Sequence, residues 1–178
     1  MRNGLLICMA FAGMLGLQAC EDLLDVEETF TFEQEFTIVT DQTNFSEWEL
    51  IDLESDVDII EEYGDKIKDV QIDKAEFWLT ALHGGDNQRF EGGSVSVADP
   101  DGSNITQIGS IGQHNLQDLL DEPHLLQTES QGLNRLGVLA EDPPHRFRLY
   151  YNGSVNEGPV SFTVVFLFTG KMVANPLN

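Results

Sequence analysis

The stretch TFTFEQEFTIV, Thr29 to Val39, decides the fold. Phe30, Phe32, Gln34, Phe36 and Ile38 fall on one side of a two-residue period, and Thr31, Glu33, Glu35, Thr37 and Val39 fall on the other. Successive side chains of a strand point to opposite faces, so this alternation predicts a β-strand with one buried face. Its counterpart near the far end is SFTVVFLFT, Ser161 to Thr169, with Phe162, Val164, Phe166 and Phe168 on one face. Val165 and Leu167 are apolar as well, which predicts that both faces of this strand are covered.

Working outward, Thr40 to Ser46 reads as a polar loop and Trp48 to Leu53 as extended chain. Ser55-Asp56-Val57-Asp58 has the spacing of a helix N-cap with an acid at the third position, and Gly64 is placed to end that helix. Ile67 to Leu82 holds one or two apolar, aromatic-rich strands, followed by a loop at His83-Gly84-Gly85-Asp86-Asn87. Ser94 to Val97 is a strand, Asp99-Pro100-Asp101-Gly102 a turn, and Asn104 to Ile108 the returning strand. Asn115 to Ala140 has helical spacing of leucines, with Pro123, Gly132 and Gly137 keeping the helices short. After Pro143-Pro144, the residues Phe147, Leu149 and Tyr151 alternate with Arg146, Arg148 and Tyr150, and Asn152-Gly153 is a hairpin signal.

Six to eight strands separated by turn signals predict an antiparallel, immunoglobulin-like β-sandwich with one to three short helices over an open end. An α+β layer is the alternative. No repeat and no second domain is visible.

Charge narrows the partners. The 178 residues hold 31 acids against 9 bases, a formal charge of −22. Apart from Arg2 the bases are Lys66, Lys68, Lys74, Arg89, Arg135, Arg146, Arg148 and Lys171. Such a surface repels polyanions, which excludes nucleic acid as a partner.

No catalytic motif is complete. His83-Gly84-Gly85 has the look of an esterase oxyanion loop, but the nucleophile elbow that must accompany it is missing its first glycine around Ser110. His83, His114, His124 and His145 stand singly, and His-Glu-x-x-His is absent. Asp52, Glu54, Asp56 and Asp58 alternate and would line one face of a strand, roughly 7 Å apart and too widely spaced to share one calcium ion. Asp99 to Asn104 begins like a calcium loop, yet Ser110 stands where a bidentate Glu is required. A solvated acidic face and an ordinary turn are the simpler readings, so no cofactor, metal or catalytic residue is assigned. With 31 acids, no carboxylate pair stands out for glycoside cleavage.

Trp48, Trp78, Tyr150 and Tyr151 suggest a sugar-stacking platform, although aromatics on alternating strands more often fill a core. Arg146, Arg148 and Tyr150 would share the outward face of one strand, either as a local positive patch or paired with acids of a neighbouring strand; pairing is the simpler reading.

At the amino terminus, Arg2 precedes an apolar run from Gly4 to Leu17, too short to span a bilayer, and Leu17-Gln18-Ala19-Cys20 closes it. The tetrapeptide resembles the lipobox of bacterial lipoproteins. The resemblance implies a leader over residues 1–19, removal of Cys8 with it, and acylation of Cys20, which would hold the chain on a bilayer through two or three acyl chains. Glu21, Asp22, Asp25, Glu27 and Glu28 then resemble the surface-export tag of lipoproteins in Bacteroides and its relatives. The layout is similar to small lipoproteins of unknown function from those bacteria: leader 1–19, acidic tether 20–28, one sandwich domain 29–178. It implies an outer-membrane lipoprotein, displayed at the surface or facing the periplasm. The expected function is a non-enzymatic binding or assembly module for a protein or glycan. The alternatives are a periplasmic structural accessory of an envelope complex and an envelope hydrolase with an unrecognised carboxylate site.

Overall fold

The computed structural model describes residues 25–84, 87–175 and 177. The leader, Cys8, Cys20, and Gly85 and Asp86 of the predicted loop lie outside the described residues.

The strands β1 (Val26–Thr40), β2 (Asn44–Asp52), β3 (Ile67–His83), β4 (Arg89–Ala98), β5 (Thr106–Ile111), β9 (Arg146–Val155) and β10 (Val160–Ala174) carry the architecture, with two-residue strands β6 (His114–Asn115), β7 (His124–Leu125) and β8 (Gln127–Thr128) at the margins. They form two antiparallel sheets. Sheet A runs β1-β10-β3-β7 and sheet B runs β2-β9-β4-β5-β8, with β6 paired to β4. The antiparallel β-sandwich with short helices is therefore the fold. Consecutive long strands mostly alternate between the sheets, and the first long strand pairs with the last. This is the double Greek key of a jelly roll, a more specific order within the predicted sandwich class.

The alternation in Thr29–Val39 sets the register. Phe30, Phe32, Phe36 and Ile38 are buried, while their alternates are exposed. β1 pairs with β10 along its whole length, Phe36 opposite Val164 and Phe32 opposite Phe168. The aromatic residues of both sheets meet in the interior: Tyr151 of β9 lies 5.1 Å from Phe166 and 5.0 Å from Phe45, and Phe32 stacks on Phe168 at 4.8 Å. β1 begins at Val26, so residues 26–28, assigned to the tether, belong to the strand.

Several local expectations are corrected. Ser55 does not cap a helix: it lies inside α1 (Leu53–Asp56), its hydroxyl donating to the Asp52 carbonyl, and α2 (Asp58–Tyr63) starts after Val57 without a side-chain cap. Gly64 does end α2, with φ +47°. Among the described residues, no further layer of helix or sheet covers the outer face of β10; Val165 is buried between its in-sheet neighbours Glu35 and Trp78, and Leu167 is half-buried between Glu33 and Glu76. Asn152-Gly153 is no turn but the middle of β9, because Gly153 fits between the rings of Phe45 and Phe90.

The region from Asn115 to Ala140 is only partly helical. A 3-10 turn covers Leu116–Leu119, β7 and β8 follow, and α3 spans Ser130–Glu141. Gly132 and Gly137 do not break α3; they let it approach the sandwich. A Cβ on Gly132 would run into the Gln107 carbonyl of β5, and one on Gly137 into the Val70 carbonyl of β3. α3 thus closes the side of the sandwich between β3 and β5 instead of an open end.

Candidate functional site

The outer face of sheet B is where unusual side chains converge. Inward positions of β2, β9 and β4 bury Phe45, Ile51, Phe147, Leu149, Tyr151, Val95 and Val97, so the positions of opposite parity, Ser46, Trp48 and Leu50 on β2 among them, point outward. Residues paired across antiparallel strands share a face, and the registers therefore define rows running across the sheet.

Two adjacent rows are aromatic and cationic. Trp48 pairs with Tyr150, and Leu50 with Arg148. Trp48 is 50% exposed and Leu50 43%, unusual for large apolar side chains on a sheet. The Arg148 guanidinium sits 4.3 Å over the Trp48 ring, a cation–π contact, and Tyr150 lies 6.4 Å from Trp48. Arg148 is held from behind, its Nε donating to the Pro100 carbonyl at 2.9 Å. The loop carrying Pro100 comes this close because Gly102 adopts φ +88°, and a Cβ there would press on the Arg148 guanidinium.

The neighbouring row is polar from edge to edge. Ser46 pairs with Asn152, Asn152 with Ser94, Ser94 with Ser110, and Ser110 with Gln127. Five strands contribute one small hydroxyl or amide each, spaced at the inter-strand distance of roughly 4.8 Å. The Ser46 hydroxyl donates to the Asn152 side-chain carbonyl. In a chain with 31 acids, these three rows contain none. Asp52 at the end of β2 is the nearest acid on this face in the register, and it forms an ion pair with Arg146 at 3.2 Å.

The sequence-predicted residues fall out as follows. Trp48, Tyr150 and Arg148 are brought together, whereas Tyr151 is buried in the core and Trp78 lies half-buried on the outer face of sheet A. The predicted pairing of arginines with neighbouring acids holds for Arg146; Arg148 stacks on Trp48 instead. Asp52, Glu54, Asp56 and Asp58 do not line a strand, since the last three lie on α1 and α2. Asp99 and Asp101 are engaged internally. Asn104 donates to Asp99 at 2.6 Å and Arg135 pairs with it, and these contacts hold its carboxyl below the usual range. Ser103 does the same for Asp101 through side-chain and backbone hydrogen bonds. Among the described residues, no group of three or more His, Cys, Asp or Glu side chains converges in a way that would hold a metal ion.

His83 and Ser110 are not brought together. His83 ends β3 of sheet A, in a cleft of about 540 Å³ with Asp41, Pro159 and Ser161, whereas Ser110 lies on β5 of sheet B. His114 and His124 do meet, 5.4 Å apart beside Phe77, where the margins of the two sheets come together. Burial first, then the charge of His124, pushes the His114 pKa below its ordinary value. His145 is fully buried, with Nδ1–H donating to the Ala140 carbonyl at 2.8 Å, and is structural.

Sequence reasoning missed Ser46, Leu50, Ser94, Ser110, Asn152 and Gln127. Serine and asparagine signal turns in a sequence, and only the register reveals that these six share one face. No family model matches the chain, and no curated protein matches it. Among solved structures it is similar to the BFDV capsid protein in its decameric crystal form, with a TM-score of 0.38 and 9% identity over 83% of this chain and 99% of that one. It is also similar to a chain of desmodium yellow mottle tymovirus, with a TM-score of 0.30 and 10% identity over 84% and 81%. Both likenesses are loose superpositions of β-rich chains. Among the described residues, no helix is long and apolar enough to cross a membrane.

Proposed function

We propose that this chain is a lipid-anchored extracytoplasmic binding module of the outer membrane. It is held by an acylated Cys20 and engages a protein or glycan, without catalysis, through the outer face of sheet B. The observation that carries the reading is the Trp48–Arg148–Tyr150 group on the outer face, in which Trp48 is exposed and Arg148 and Tyr150 are half-buried. Burying large aromatic rings normally stabilises a domain, and exposed ones of this kind, braced by an arginine, are typical anchors for a ligand.

The anchor rests on the lipobox resemblance. With β1 starting at Val26, the six residue steps from Cys20 reach at most about 20 Å, so the Val26 end of the sandwich would stay close to the bilayer.

Metabolic labelling with a fatty acid tests the anchor. The wild-type chain should take up label and fractionate with membranes, and Cys20→Ser should do neither. A Cys20→Ser chain that is still labelled and membrane-bound rules the anchor out. Photo-crosslinkers placed at positions 48 and 33 test the face. Adducts or ligand protection at 48 but not at 33 support it, and equal behaviour at both positions counts against it.

A further inference from the structure

We propose that the ligand of the outer face of sheet B is an uncharged glycan chain, lying across the strands along the Ser46–Asn152–Ser94–Ser110–Gln127 row and stacking on Trp48 and Tyr150. This inference rests on that face being the binding face.

Three observations lead to this class. First, the polar row offers hydroxyls and amides that both donate and accept, which matches the hydroxyls of a sugar chain. The row crosses five strands, a span of about 19 Å, long enough to follow several sugar rings. Second, the adjacent rows supply the apolar contact that sugar C–H faces need. Trp48 and Leu50 are the exposed apolar residues there, and Tyr150 adds a ring with a polar tip. An added peptide strand is excluded at β9 and β4, whose backbones are already paired on both sides. Third, charge selects against the alternatives. The chain's net charge of −22 disfavours the approach of an anionic polysaccharide, and these rows carry no acid to recruit a cationic one.

The test is affinity electrophoresis of the mature acylated protein in detergent, through gels holding soluble neutral glucans, mannans, xylans and galactans, with alginate and polygalacturonate as anionic probes. At least one neutral glycan should retard the protein. Trp48→Ala should weaken that retardation about tenfold, the size of one lost stacking ring. Asn152→Ala should weaken it less, and Thr31→Ala on the outer face of sheet A should leave it unchanged. Thermal midpoints recorded for each variant separate lost binding from lost folding. Retardation by anionic glycans alone, or by none of the panel, overturns the proposal, as does undiminished binding by folded Trp48→Ala. If no glycan binds while a crosslinker at position 48 still captures a specific protein on intact cells, the glycan inference fails and the binding face stands. If neither is found, both fail.

Discussion

Arg148 of β9 reaches diagonally past its register partner Leu50 to Trp48 of β2, placing the guanidinium 4.3 Å over the half-exposed indole. Arg148 is also tied to the Pro100 carbonyl, so one side chain joins the aromatic row to the loop beside it. An exposed cation–π contact contributes about 0.5–1 kcal/mol. A double-mutant cycle of Trp48→Ala and Arg148→Ala, read by urea denaturation, should return a coupling of that size. Full additivity would show that the two groups do not interact in solution.

The approach of α3 to β5 makes a second prediction. Gly132→Ala places a methyl group against the Gln107 carbonyl and the Ile108 backbone, neither of which can move without shifting the strand. The loss should be roughly 1–3 kcal/mol, as for other overpacked sites. Gly112→Ala, where a Cβ would meet nothing, should change stability by about 0.5 kcal/mol or less. Chemical denaturation of both variants checks the contrast.

Phe166 sits where the sheets meet, buried against Tyr151, Phe36 and Phe77. Phe166→Ala should cost roughly 3–5 kcal/mol. Trp48→Ala, on the outside of the same sandwich, should shift the urea midpoint far less.

The His114 pKa is pushed down from 6.5 by burial and by His124. A depressed basic group binds fewer protons in the folded state than in the unfolded state. Its contribution is therefore fully present above about 6.5 and is lost as pH falls from there toward the folded pKa. Asp99 adds a second acid-side loss at lower pH. Its carboxyl is held below 3.8 by Asn104 and then Arg135, so the stability it contributes above that pH disappears as pH falls through the folded value. Thermal melts across pH should show His114→Gln flattening the upper part of the acid slope and Asp99→Asn the lower part. Unchanged slopes would refute both assignments.

The strands with one buried face were legible in the sequence because burial imposes a period of two. Phe30 to Ile38, Phe147 to Tyr151 and Phe162 to Phe168 all stand where the alternation puts them. Glycine misled the reading. At Gly132 and Gly153 it marks a close approach of other parts of the chain, not a break or turn, and that approach is a tertiary fact. A third of the candidate site, Trp48, Arg148 and Tyr150, was readable as residue types. The polar row was not, because it joins residues from Ser46 to Gln127 through pairings that no local pattern encodes.

We propose a membrane-anchored sandwich whose sheet B face is open to the cell exterior. It is tested most directly by a single reporter thiol, Leu50→Cys, treated on intact cells with a membrane-impermeant maleimide. If the proposed leader carries Cys8 away and Cys20 is acylated, the wild-type mature chain would offer no competing thiol. The account predicts labelling of Leu50→Cys on whole cells and none of wild type. Labelling only after the envelope is opened would contradict it, and would place the face inside the envelope.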